Sequence, residues 1–175
     1  MQHWLEVAVI GLNLCPFAKA VHVHGQIRYV VSNAADRPAL LHDLRAELET
    51  LHNADPQQID TTLLIHPEVL HDFYDYNEFL QSAQDALESL QLEGVIQIAS
   101  FHPQYQFADA HAEDIENYTN RAPFPTLHLL RESSVERAVS ATPDASKIYR
   151  RNIATLQRLG IAGWNALEIA RPFER

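Results

Sequence analysis

The single cysteine of this sequence lies in a context that suits thiol chemistry. Cys15 precedes Pro16, and proline is common at the first position of a helix. We therefore expect Cys15 at the N-cap of a helix, where free amides and the helix dipole favour a thiolate over a thiol. A thiolate near neutral pH would serve as a nucleophile, a redox group or a metal ligand. The alternative is a small buried side chain without reactivity.

Two histidine-proline pairs form the second chemical feature. His66 precedes Pro67 and His102 precedes Pro103, each at the end of an apolar run that reads as a strand. If both strands are parallel, the two histidines emerge at the same edge of the sheet, where ligands of open α/β sheets bind. Each histidine could instead end its strand and bond nearby backbone, with the proline blocking further strand growth.

A third cluster combines amides, arginines and a histidine. Asn120 and Arg121 precede a proline-rich turn, which is followed by His128 and Arg131. A guanidinium fork matches carboxylate and phosphate geometry, so this cluster could fix an anionic group. Asn120 could also orient an imidazole, as the third member of a cysteine-histidine-asparagine arrangement. In the alternative reading these side chains satisfy the backbone of an irregular loop.

These features support three hypotheses about function, and the first is an enzyme acting on a small anionic substrate. Cys15 would be its nucleophile or redox thiol, His102 its base or proton donor, and Asn120 the orienting residue. The residues that would bind the anionic substrate are Arg121, Tyr105 and Arg131. This hypothesis uses all three features.

The second hypothesis is a transition-metal site, and the third is a binding module without chemistry. Zinc, copper or iron would be held by Cys15 and His102 together with His66 or His128. No short-range pair of ligands supports this site, so the fold would have to bring its members together. A binding module for a small acidic metabolite would use Arg121 and Arg131 as its anchors, and it predicts an unreactive cysteine.

The elements that must position these residues follow from periodicity. Three apolar runs at 27–32, 61–66 and 95–101 read as strands. Amphipathic helical patterns separate them, and Asp36 is expected to cap the first of these helices, with Pro38 in its first turn. We therefore predict a single α/β domain over residues 1–175. After an N-terminal helix it has a β-α-β-α-β core and a mainly parallel sheet of three to four strands with flanking helices.

The second half of the chain is less regular. Residues 104–121 are polar and are expected to form a long ordered loop. Residues 126–131 alternate between apolar and polar positions and favour a fourth strand. Two further helices are expected, and Asp144 is the predicted cap of the last one. The basic residues at 147–151 are interpreted as one solvated face of that helix.

Composition excludes several classes of protein. The 46% hydrophobic content suits a globular domain of 175 residues, and the net charge of −10 argues against nucleic acid as a partner. The longest apolar stretch, residues 7–14, is too short to cross a membrane, and no basic signal flank precedes it, so we expect a cytoplasmic protein. With five glycines and no glycine-rich turn, the sequence carries no nucleotide cofactor fingerprint.

Three longer motifs resemble a bacterial family of uncharacterised proteins. They are the strings GLNLCPFAK from Gly11, SFHPQYQF from Ser100, and NRAPFPTLHLLRE from Asn120. The resemblance spans nearly the whole chain and implies a bacterial cytoplasmic protein. It implies no activity, cofactor or catalytic residue.

Overall fold

Four strands form one mixed sheet at the centre of the computed structural model, which describes residues 1–141 and 147–170. The strands, in chain order, are β1 (Ile27–Val31), β2 (Thr61–Ile65), β3 (Ile96–Phe101) and β4 (Thr126–Arg131). The sheet order is β1-β2-β4-β3. Each predicted strand is present to within a residue, and the fourth strand is confirmed.

The direction of the strands refines the predicted topology. β1 and β2 are parallel, whereas β4 is antiparallel to both of its neighbours, β2 and β3. β1, β2 and β3 therefore run in the same direction, and β4 lies between β2 and β3 in the opposite direction. The α/β prediction is confirmed, but the sheet is mixed because the fourth strand returns between two strands that a helix connects.

Helices flank the sheet and connect its strands. Their bounds are α1 (Gln2–Trp4, continued by a π-helical segment, Leu5–Ile10), α2 (Ala18–Val23), α3 (Arg37–Asn53), α4 (Phe73–Ser89), α5 (Glu132–Ser140) and α6 (Ile148–Asn165), with a 3-10 helix at Ile115–Thr119. The predicted cap of α3 is confirmed, because the Asp36 carboxylate accepts the Ala39 N–H at 2.8 Å. Asp72 caps α4 in the same way through the Tyr74 and Asp75 amides.

The two faces of the sheet carry separate apolar cores. One face packs against α3 and α4, through residues that include Leu44, Tyr76 and Leu127. The other packs against the N-terminal helix and α6, through residues that include Trp4 and Leu156. Because side chains alternate along a strand, this division assigns each polar strand residue to one face.

The end of the chain is described in part. The predicted cap Asp144 and residues 171–175 lie outside the described residues. α6 changes direction at Gly160, where φ is 66°, a backbone conformation that glycine adopts without steric cost. Among the helices described, none combines the length and hydropathy required to cross a membrane.

Candidate functional site

The structure brings His66 and His102 together at the carboxyl ends of β2 and β3. Both are fully buried, and both rings contact Tyr76 of α4. The His66 and Tyr76 ring centroids are 5.7 Å apart and stacked, and the His102 and Tyr76 centroids are 5.1 Å apart. The Tyr76 hydroxyl donates to the Thr126 carbonyl at 2.8 Å and accepts the Phe101 N–H at 3.2 Å. The two histidines therefore share one buried cluster around Tyr76.

Both ring nitrogens of His102 are engaged by backbone. Nδ1 accepts the Gln104 N–H at 3.0 Å, so Nε2 carries the proton and donates it to the Leu70 carbonyl at 3.1 Å. Burial lowers the pKa of His102 to about 4. His102 is thus neutral at physiological pH, and its ring presents no unpaired nitrogen to a substrate or metal.

His66 differs from His102 in the hydrogen bonding of one ring nitrogen, Nε2. Its Nδ1 donates to the Val69 carbonyl at 3.1 Å, which leaves Nε2 as a buried acceptor without a partner in the part of the chain described. Burial, with a smaller contribution from the neighbouring His102, lowers the pKa of His66 to about 4. An orphaned acceptor in a closed core destabilises the folded state by an amount typical of a lost hydrogen bond.

The predicted orienting residue Asn120 holds backbone rather than an imidazole. Its Nδ2 donates to the Ser100 carbonyl at 3.2 Å, and its own carbonyl accepts the His102 N–H at 3.2 Å. The nearby Asn117, fully buried, accepts the Phe107 N–H at 3.0 Å and donates to the His111 carbonyl. These two amides order the long polar loop. This arrangement agrees with the alternative interpretation, in which the side chains of this cluster satisfy the backbone of an irregular loop.

Arg121 and Tyr105 belong to the same loop. The Arg121 guanidinium donates to the carbonyls of Tyr105 at 3.1 Å and Ala112 at 2.6 Å, and it lies 4.5 Å from the centre of the Tyr118 ring. The Tyr105 ring packs 5.3 Å from that of Phe73. The predicted anion anchor is therefore engaged by carbonyl oxygens and an aromatic face.

Arg131, the other predicted anchor, is buried at the far end of β4. Its guanidinium donates to the carbonyls of Leu51, Ala54 and Ile59, around the C-terminal end of α3. A cation is favoured there, because the last carbonyls of a helix are unpaired and carry the negative end of its dipole. The structure does not place Arg131 beside Arg121 or in an open site.

Cys15 lies on the opposite side of the sheet from His102. It packs against the cluster of Trp4 and Leu156, whereas the His102 ring packs on Tyr76 of the other cluster. α2 begins at Ala18, so the prediction that Cys15 is the N-cap of a helix is wrong. Burial raises the pKa of the Cys15 thiol, although the Phe17 and Ala18 amides that bond to it act in the opposite direction. The expectation of a lowered pKa is therefore corrected, because desolvation outweighs the two amides.

His128 lies on the same sheet face as the cluster against which Cys15 packs, and the structure does not bring the four predicted metal ligands together. The His128 Nε2 lies 2.7 Å from the Thr61 hydroxyl, which itself donates to the Leu129 carbonyl. Burial lowers the pKa of His128 to about 4. Within residues 1–141 and 147–170, no three histidine, cysteine or acidic side chains are grouped so as to hold one metal ion.

An open groove lies at the carboxyl end of β1, away from all of these residues. It has a volume of about 430 Å³ and lies between residues 30–34 and residues 39–47 of α3. The helix contributes Ala39, Asp43, Ala46 and Glu47. The first three are at spacings of four and three residues and therefore share one helix face. Ala39 and Ala46 are exposed, so small side chains leave this wall of the groove uncovered.

The two carboxylates of the groove are not equivalent. Glu47 forms a two-pronged ion pair with Arg28, with nitrogen to oxygen distances of 2.7 and 3.0 Å. Asp43 accepts only the Ser32 hydroxyl, at 2.6 Å, and no cation of the described chain pairs with it. Asp43 is therefore the uncompensated negative charge of the groove.

The groove follows the free edge of the sheet. The Ser32 N–H donates to the Ile65 carbonyl, and the Gln26 carbonyl accepts the Asp60 N–H. Even-numbered residues of this strand therefore direct their backbone groups towards β2. Since the direction alternates along a strand, Tyr29 and Val31 direct theirs outwards. Over the described residues, those outward backbone groups have no hydrogen-bond partner.

Sequence reasoning missed the groove and the central position of Tyr76. Tyr76 stands in the apolar stripe of α4, which predicts a core residue and nothing more. The groove lacks a motif, because its backbone groups are free only as a result of strand order. The spacing of Ala39, Asp43 and Ala46 on the exposed side of a helix was the available signal.

Comparison with known proteins agrees with the resemblance seen in the motifs. A family model, described as a protein of unknown function (DUF1415), matches residues 1–166. A search of curated proteins found no match, and neither did a search of solved structures.

Proposed function

The chain belongs to the DUF1415 family, whose description carries no activity, and we propose from the geometry that it is a binding module for an extended peptide. The peptide would lie in the groove between β1 and α3 and add a strand to the sheet. The observation that carries this proposal is the outward backbone of Tyr29 and Val31, which lies beside an open groove and has no partner among the residues that the structure describes.

The edge formed by β1 carries few of the devices that usually prevent strand pairing. Natural edge strands are protected by lysine, proline, bulges or a covering element. β1 contains no lysine or proline, its one charged residue, Arg28, is paired with Glu47, and Val31 is 60% exposed. An exposed apolar residue beside free backbone groups favours a strand-shaped ligand.

The helix wall of the groove supplies room for side chains. A paired strand would lie about 4.8 Å from β1, and alternate side chains would point towards α3. Ala39 and Ala46 leave space on either side of Asp43. The groove therefore accepts alternate side chains of the peptide, and these determine specificity in strand addition.

The charge of the groove indicates which peptide fits best. Asp43 has a hydroxyl partner and no cation, whereas Glu47 is already neutralised by Arg28. A lysine or arginine of the peptide would supply the missing positive charge. We therefore propose an extended peptide with a basic side chain opposite Asp43.

This proposal replaces the small anionic ligand of the sequence hypotheses. The guanidinium groups of Arg121 and Arg131 are occupied by backbone carbonyls. Cys15 and His102 pack on opposite faces of the sheet. An enzyme that pairs these two side chains, or that anchors an anion on these two arginines, would require a rearrangement of the fold.

Selection of random peptides displayed on phage tests the proposal directly. Wild-type protein is the target, and the variant Ala46→Arg, which fills the groove with a cationic side chain, removes non-specific binders. We expect enrichment of alternating apolar sequences that contain lysine or arginine. The control Glu49→Arg introduces a positive charge at an exposed site of the same helix outside the groove, and this variant should retain binding. Failure to enrich any sequence, or equal loss in both variants, would overturn the proposal.

The role of the strand edge is tested separately with a selected peptide. Val31→Pro removes the outward N–H, and proline is tolerated on edge strands, so the fold is expected to persist. Val31→Thr keeps the N–H and serves as the control. Binding should be lost in the first variant and retained in the second. Hydrogen exchange on wild-type protein should show that the peptide slows exchange of the Tyr29 and Val31 amides. Unchanged exchange would exclude strand addition.

Thiol chemistry at Cys15 is the second candidate function, favoured by the Phe17 and Ala18 amides that bond to the sulfur. The alkylation rate at neutral pH distinguishes the two candidates. If the protein is a binding module, Cys15 is expected to be alkylated slowly in the native protein and quickly in the unfolded protein, because burial raises the pKa of the thiol. Fast alkylation of the native protein would favour the thiol enzyme, with Cys15→Ser as the control that must show no labelling.

A further inference from the structure

The N-terminal half of α6 has a charge pattern opposite to that of the rest of the molecule. Residues 147–165 contain four basic residues and no acidic residue, in a chain whose net charge is −10. Three of the four are the exposed arginines Arg150, Arg151 and Arg158. At 3.6 residues per turn they fall within an arc of about 100° and span about 12 Å of the helix. We call these three arginines the basic stripe.

The basic stripe is not neutralised within the described chain. Among residues 1–141 and 147–170, no carboxylate lies within ion-pair distance of Arg150 or Arg158. Arg151 donates to the Asn13 carbonyl at 3.3 Å, which leaves its charge uncompensated. By contrast, Arg28 and Arg37, on the opposite half of the molecule, both pair with carboxylates.

The N-terminal end of the stripe also opposes the helix dipole. α3 and α4 begin with the caps Asp36 and Asp72, as the positive end of a helix dipole favours. α6 has no acidic residue in its first turn, where Arg150 lies instead, with Arg151 next to it. This local arrangement lowers the stability of the isolated domain. Departures from local rules of this kind are typical of functional surfaces.

We infer that the basic stripe binds an acidic segment of a partner protein. Exposed Ala154 lies between Arg151 and Arg158 on the same arc, so the arginines border a shallow surface that an extended or helical acidic segment can approach. The stripe is short, which suits a short acidic segment. A nucleic acid or an anionic membrane extends well beyond 12 Å as a continuous negative surface and would meet the acidic remainder of the protein. This surface is independent of the groove beside β1.

Binding of a fluorescent poly-glutamate peptide to the full chain tests the inference. We expect binding at low salt that weakens as salt is added. The double variant Arg150→Glu with Arg158→Glu should weaken it roughly tenfold. The control Lys19→Glu reverses an exposed charge on α2 and should change binding less than about twofold. Absence of binding, or equal loss in the control, would overturn the inference.

The same variants separate the other occupants. Tighter binding to single-stranded DNA, or to phosphatidylserine vesicles, than to poly-glutamate would contradict a protein partner. A wild-type dimer in sedimentation that the double variant abolishes would assign the stripe to a second copy of the chain.

Thermal unfolding tests the dipole argument without any ligand. Arg150→Glu should raise Tm by ~2 °C, because it places a negative charge in the first turn. A protein that is stabilised while it loses poly-glutamate binding is expected if the stripe is kept for a partner. A lower Tm would contradict the argument that the stripe opposes the dipole.

Discussion

The carboxyl ends of β1 and of β2 and β3 lie along the same edge of the sheet, yet they differ in accessibility. His66 and His102, which follow β2 and β3, are fully buried and covered by loops. The end of β1 opens into a groove of about 430 Å³ beside α3. We call the ends of β2 and β3 the closed region and the end of β1 the open region. Residue types that could act in catalysis or metal binding are concentrated at the closed region, whereas accessible, unpaired backbone of the described chain lies at the open region.

The difference shows how polar residues are used in this fold. At the closed region the polar side chains satisfy backbone groups of the irregular loops, as His102 does for Gln104 and Leu70. At the open region the outward backbone of Tyr29 and Val31 remains unpaired by any described part of the chain. In this fold, the motifs rich in polar residues therefore contain side chains that stabilise the loops, whereas the candidate ligand site lies at the free edge of the sheet.

Acidification is expected to cause the largest loss of stability, because it protonates the buried histidines of the closed region. The pKa of a free histidine is 6.5, whereas His66 and His102 have values of about 4 in the folded protein. The unfolded chain therefore binds protons first as the pH falls, and the stability present above pH 6.5 is lost progressively down to about pH 4. Each histidine should account for about 2 kcal/mol between about pH 7 and about pH 5.

Urea unfolding at the two pH values measures this loss. His128 has the same lowered pKa, so the variant His66→Leu removes one of three such rings and should show about two thirds of the pH dependence. An unfolding midpoint that does not change with pH would contradict the buried, neutral histidines.

Truncation of His102 should have the next largest effect. His102→Ala leaves a cavity beside Tyr76 and Phe73 and removes the partners of Leu70 and Gln104. The expected loss of unfolding free energy is about 3 kcal/mol. Chemical denaturation measures it.

The control for this truncation is His24→Ala, an exposed histidine that should change stability by less than about 0.5 kcal/mol. The folded fraction of His102→Ala should still bind a selected peptide at the groove. Loss of binding in protein that remains folded would show that the closed region belongs to the ligand site.

Replacement of Arg131 sharpens the distinction between anchor and scaffold. Arg131→Met leaves the carbonyls of Leu51, Ala54 and Ile59 without their donor and should lower stability by about 2 kcal/mol. The exposed Arg137→Met is the matched control. An unchanged stability together with loss of binding to a small carboxylate or phosphate would restore Arg131 as an anion anchor.

Neutralising Asp43 should have the smallest effect on stability and the clearest effect on the open region. In Asp43→Asn the amide oxygen can still accept the Ser32 hydroxyl, so stability should change by less than about 1 kcal/mol. Binding of a selected basic peptide should weaken roughly tenfold, as measured by calorimetry. A peptide without basic residues should bind both proteins equally. Equal weakening of both peptides would exclude a specific charge contact at Asp43.

Local features of the fold were predictable because they depend on neighbouring residues. The Asp36 cap and the strand at 126–131 follow from residue type and alternation within a few positions. The meeting of His66 and His102 at one edge followed from two parallel strands. Their burial did not, because it results from the loops that fold over them and from Tyr76 of α4.

The candidate site was less predictable for a physical reason. Whether Arg121 binds an anion or a carbonyl depends on which carbonyls the loop leaves unpaired. Whether Cys15 meets His102 depends on the sheet face that each side chain contacts, which changes with a shift of one residue.

The sequence by itself determined the α/β class, the bounds of the strands, the Asp36 cap and the family, because each is encoded by local pattern or by motif. Only the tertiary structure decided that β4 separates β2 from β3, that β1 is a free edge, and which polar atoms remain unpaired. Backbone hydrogen bonds between strands join residues that are far apart in the chain. The groove beside β1 is therefore a property of strand order, which no local pattern specifies.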